Sequence, residues 1–107
     1  MSDIQLTQRD YLAAIQAAQS INATHELYDA LVGLCGCYIE QGLTQEASDV
    51  LAFVLLQNDL AVDTYDTAIE YFEDLESRIC PRVILDAKTF AQEVDLEDII
   101  WYVLPTT

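Results

Sequence analysis

Leu31-x-x-Leu34-Cys35-x-x-Tyr38-x-x-x-Gly42-x-x-x-x-Ala47-x-x-x-Leu51-x-x-Val54 is the stretch that decides the fold. Leu31, Leu34 and Tyr38 return every three or four positions, and so do Ala47, Leu51 and Val54. That spacing puts each set on one face of a helix. Gln41-Gly42 breaks the pattern between the two stripes, and Thr44 restarts it. Gly42 stands where a helix end takes a left-handed residue. The stretch predicts two antiparallel helices joined by a tight turn.

Working outward, the same period predicts six helices. The first covers 8–20, with Thr7 as N-cap, Leu6 closing over Tyr11, and Tyr11, Leu12, Ile15 and Ala18 turned inward. Asn22 ends it. The second starts after Thr24, its N-cap, and runs to about Gln41, with Leu27, Ala30, Leu31, Leu34 and Tyr38 as its stripe. Gly33 and Gly36 lie inside it. Each costs up to about 1 kcal/mol against Ala in an exposed helix, which makes sense where a neighbouring helix packs closely. The third, about 45–57 and capped by Thr44, is apolar all round from Val50 to Leu56. It is either covered on several sides or supplies an interface. A loop at Asn58-Asp59 follows.

The fourth helix, about 64–78, takes Asp63 as N-cap. Tyr65, Ala68, Ile69, Phe72 and Leu75 mark its core face, and Asp66, Glu70, Glu73 and Asp74 its opposite face. Arg78 suits the negative C-terminal end. Pro81 opens the fifth helix, to about Gln92, with Val83, Ile84, Ala87 and Phe90 inward. Asp95 caps the last, 96–104, with Asp98 completing a capping box. Leu96, Ile99, Ile100, Trp101 and Val103 seek cover, and Pro105 stops the helix. No segment alternates with period two. The expectation is an all-α fold of antiparallel helical hairpins, one domain over 1–107.

The charge balance is lopsided: 19 acids stand against 4 Lys+Arg, for a net charge of −15. Duplex DNA and anionic membranes are poor partners for such a surface, because both are bound through cations. Basic partners suit it, and so does a purely solubilising role. Cys35, Cys37 and Cys80 are an odd number of thiols. Cys35 and Cys37 point about 200° apart on a helix and share no bridge. The opening Met1-Ser2-Asp3 reads as a natural start without a secretory leader, and no apolar run reaches membrane-spanning length. A reduced cytoplasmic setting is expected.

Leu31, Leu34, Tyr38, Gly42, Ala47 and Leu51 together resemble a tetratricopeptide unit. In that family a small residue follows the Leu34-like position, here Cys35, and the Ala47-like residue lets two helices approach. The family's helix-ending proline falls near Asp59, which departs from the pattern. From Leu27 to Leu104 the order of elements is similar to the C-terminal sensor end of bacterial STAND-type signal-transduction ATPases and related transcriptional regulators. It runs from the hairpin through an acidic helix and Cys80-Pro81-Arg82 to Asp95-Leu96-Glu97-Asp98. Gln92-Glu93-Val94 stands where those tails carry a glycine. The resemblance implies the interaction end alone, as a separate protein or an excised domain, since neither a phosphate-binding Gly-x-x-x-x-Gly-Lys-Ser/Thr loop nor a basic recognition helix is present.

Chemistry has little to stand on. His25, the one histidine, lies just after the Thr24 cap. Cys35-Gly36-Cys37 lacks the spacing of zinc or redox motifs, and neither a nucleophile–base pair nor an EF-hand loop occurs. The expected function is non-enzymatic protein binding without cofactor or metal. Asp66, Glu70, Tyr71, Glu73 and Asp74 are the candidate partner face, with Tyr71 the chief contact; Tyr65, Trp101 and Tyr102 are further aromatic candidates. The competing reading is an acidic decoy that imitates DNA and occupies a basic nucleic-acid-binding protein. Leu51, Phe53, Leu55 and Leu56 are candidates for self-association into a homodimer.

Overall fold

The computed structural model describes residues 8–57 and 59–104. The expected Thr7 cap, the Leu6 staple, Asn58 and the Pro105 stop lie outside them. Six helices carry the described residues: α1 Gln8–Ser20, α2 Thr24–Glu40, α3 Thr44–Leu55, α4 Val62–Arg78, α5 Pro81–Glu93 and α6 Leu96–Val103. The fold is all-α, and the boundaries fall within two residues of those read from the sequence.

Two joints of one design connect α1, α2 and α3. Gly42 adopts φ +79° and Asn22 φ 57°. At the first joint the Ala23 N–H donates to Ala18 C=O (2.9 Å) and Asn22 N–H to Gln19 C=O (3.2 Å). At the second, Leu43 N–H donates to Tyr38 C=O (2.8 Å) and Gly42 N–H to Ile39 C=O (3.1 Å). These are paired Schellman closures, which satisfy carbonyls left open at a helix end. The carbonyls of Ala23 and Leu43 then accept from Leu27 and Ala47, starting the next helix. Ala23 and Leu43, not the threonines after them, are therefore the N-caps, and neither makes a side-chain cap bond. Asp63 is likewise not a cap: α4 begins one residue earlier, after an extended Ala61.

Pro81 does open α5, and the extended Cys80 before it suits a pre-proline residue. Asp95 forms the expected capping box: Asp98 N–H donates to Asp95 Oδ1 (2.9 Å) and Asp95 N–H to Asp98 Oδ2 (3.3 Å).

α3 is the hub. It packs against α2, α4 and α5, while α2 also meets α1 and α4. Val50, Leu51, Ala52, Phe53 and Val54 are all buried, so this apolar helix is covered on several sides by its own chain. One apolar core draws on all six helices. Burying a side chain such as Leu51 fully is worth about 1.5–3 kcal/mol.

Two expected stripes hold except for one aromatic in each. In α4 the buried line is Thr64, Ala68, Phe72 and Leu75, and Tyr65 is 45% exposed. In α6, Ile99, Ile100 and Val103 are buried but Trp101 is 67% exposed. A short helix with apolar residues at nearly every position cannot turn all of them inward at once.

Candidate functional site

α2 and α4 run parallel. Thr64 of α4 reaches Asp29 of α2 (3.5 Å), and Tyr71, one register step further, lies over Gly36. Both pairs are 35 residues apart in sequence. α1 lies along the other side of α2 in the opposite direction, with Gln8 bonded to Gln41 through their side-chain amides.

Gly33 and Gly36 make this approach possible. A Cβ on Gly33 would run into the Tyr11 ring, and one on Gly36 would meet Tyr71 Oη at 2.9 Å and Cζ at 3.2 Å. The two phenols thus lie against α2 about one turn apart. Between them opens a cleft of about 460 Å³ lined by Tyr11, Gly33, Gly36, Cys37, Ile39, Glu40, Tyr71 and Asp74.

The cleft is electronegative. Burial raises the Tyr71 phenol above its ordinary pKa, and the neighbouring Cys35, Glu70, Cys37 and Glu40 raise it further. Tyr11 is raised by burial first, then by Cys37, Tyr71, Asp29 and Asp10. Burial and Glu40 push the Cys37 thiol up in the same way. These groups stay protonated near neutral pH, and the carboxylates supply the charge. Asp74 pairs with Arg78 at 2.8 Å, the one ion pair among the described residues, and both partners are half exposed.

The candidate partner residues therefore divide. Tyr71 and Asp74 line the cleft, and Glu70 acts electrostatically on Tyr71. Asp66 and Glu73 are exposed on α4 without lining the cleft. Of the residues considered for self-association, Leu51 and Phe53 are 0% and 4% exposed and offer no surface to a second copy. They fill the core because α3 is its central helix. Leu56, 50% exposed, and Leu55 line a small hollow of about 170 Å³, beside Lys88, whose ammonium lies 5.8 Å from the Phe72 ring centre.

Cys35 is fully buried, Cys37 half-buried in the cleft and Cys80 exposed. Burial drives the Cys35 thiol far above its ordinary range. Among the described residues, no three His, Cys, Asp or Glu side chains are placed to hold a metal ion, and no helix is long and apolar enough to cross a membrane.

Sequence reasoning passed over Tyr11 as a cleft wall and Asp49 altogether. Asp49 is 6% exposed. It accepts from Tyr102 Oη (2.8 Å) and Gln45 Nε2 (2.7 Å), tying α3 to α6. Tyr102 in turn stacks at a tilt on Phe90, ring centres 5.3 Å apart. An acid in the middle of a helix reads as solvated unless the covering helix is known. The two glycines were the signal for Tyr11, since they required something bulky beside them.

Comparison with protein-family models, curated proteins and solved structures found no match.

Proposed function

We propose that this protein is a tetratricopeptide-like interaction module that works by gripping another polypeptide and carries out no chemistry of its own. The observation that carries the reading is the parallel register of α2 and α4. Equivalent positions repeat after 35 residues, close to the roughly 34-residue period of tetratricopeptide units. The stacking agrees: α4 lies on both α2 and α3, and α5 lies on α3. Repeat folds of this kind use the surface of successive first helices to hold partners. Here that surface holds the cleft with Tyr71, Asp74 and Glu40. A role as the sensor end of a bacterial regulatory system, in the cytoplasm, follows from the resemblance described above.

A photo-crosslinking side chain at Glu40 tests the reading. In an extract of the source cells it should join to one dominant polypeptide, while the same group at the exposed Glu97 on α6 should not. No capture, or equal capture from both positions, would sink it.

The second reading, a decoy that imitates DNA, draws on the exposed acids Asp63, Asp66, Glu70, Glu73, Asp74 and Glu76 along α4. It requires that excess duplex DNA displace the captured partner at low salt. A partner retained under those conditions removes the decoy reading and leaves the module reading standing.

A further inference from the structure

The cleft between α1, α2 and α4 has features that a generic acidic surface lacks. Its floor is the α2 backbone at Gly33 and Gly36, where the missing side chains leave room for Tyr11 and Tyr71. Two phenol rings lie against that floor about one helical turn apart. Carboxylates stand at its rim: Glu40 from α2 and Asp74 from α4, with Glu70 close enough to act on Tyr71. At about 460 Å³ the space exceeds what a single water or ion needs and suits a side chain with its adjoining backbone.

We infer that this cleft receives an arginine side chain from an extended segment of the partner protein, its guanidinium lying against the Tyr71 and Tyr11 rings and its N–H groups donating to Glu40. The inference rests on the binding-module reading and names its chemistry. Aromatic faces attract cations, and the planar guanidinium stacks where an ammonium only points. A carboxylate at the rim takes the guanidinium's fork of donors. Charge complementarity excludes acidic segments. Among the described residues Arg78 is the one cation with a carboxylate partner, and it is spent on Asp74 at the outer edge. Glu40 keeps an open face for a visitor.

The test uses the whole chain labelled with nitrogen-15 and three short, unstructured peptides of equal length. One carries glycine-spaced arginine, one lysine in the same places, and one glutamate. The arginine peptide should shift the amides of Gly33, Gly36, Cys37 and Glu40 and leave α6 unmoved. The lysine peptide should bind roughly fivefold more weakly and the glutamate peptide not at all. Glu40→Gln, an exposed substitution without risk to the fold, should weaken arginine binding several-fold. Tyr71→Leu should weaken it by roughly tenfold, while Tyr71→Phe, which keeps the ring, should bind like the parent. Glu97→Gln is the distant control and should change nothing.

Equal affinity for lysine and arginine would overturn the inference. So would shifts spread over every acidic helix, or an unchanged Kd in both Glu40→Gln and Tyr71→Leu. Any of these would leave the module reading untouched, because that reading fails only if crosslinking from the cleft captures no polypeptide or captures no more than the Glu97 control.

Discussion

Asp49 holds a carboxylate almost out of water, and its proton affinity records the cost. Desolvation raises its pKa above 3.8; the bonds from Tyr102 and Gln45 pull it back in part, and Glu46 and Asp86 push it up again. An acid raised in the folded state is bound more tightly by protons there than in the unfolded chain. Its contribution is therefore fully present below about 3.8 and is lost as pH rises through the folded value. Acidifying from neutrality toward that value should stabilise the parent more than Asp49→Asn, as urea midpoints across the range would show. The comparison with the variant removes the general relief of repulsion that every acid contributes. Gly42 makes a different demand. At φ +79° a side chain is strained, so Gly42→Ala should cost about 1 kcal/mol. Asn22→Gly at the matching joint should be neutral or slightly stabilising. Equal effects at both positions would contradict the left-handed assignments.

At the scale of elements, α6 depends on its cap. It is eight residues long, too short to persist on propensity alone, so Asp95→Ala should cost about 1 kcal/mol and release α6 amides to hydrogen exchange before those of α3. Leu51→Ala belongs to the core: it should cost about 2–5 kcal/mol, with a sedimentation coefficient that does not vary with concentration differently from the parent's. Helix positions were legible because Asn22, Gly42, Pro81 and Asp95 punctuate the chain with residues whose backbone demands are narrow. Caps at Thr24, Thr44 and Asp63 were misread because the Schellman closures hand the capping role to the preceding backbone, and α4 starts early. Faces were harder still. Tyr65 and Trp101 read as core because aromatics favour burial, but which neighbours cover a helix is decided by packing against distant segments. The cleft was half legible: Tyr71 and the acids of α4 could be picked out, whereas Tyr11 and Glu40 join them only through the tertiary approach of α1 and α4 to α2.

Across the whole molecule, a net charge of −15 opposes compaction. Salt should therefore help. Raising sodium chloride from about 0.01 M to about 0.5 M shortens the Debye length from about 30 Å to a few ångströms, and the melting temperature should rise by several degrees. A flat or falling response would mean that the acids are already offset within the fold. The described residues span 36 × 35 × 33 Å, so the stacked helices close on one core. The two left-handed joints bear on how that core comes together. Each closes through bonds between residues a few positions apart, as from Ala23 to Ala18 and from Leu43 to Tyr38, so little loop entropy is lost in making them. α5, by contrast, reaches α3 only once the intervening α4 has been laid down. Pulse-labelled refolding is expected to protect the amino-terminal half first and α5 last. During synthesis α1, α2 and α3 can pair along the chain before the ribosome has finished α4 and α5, which cover the rest of α3.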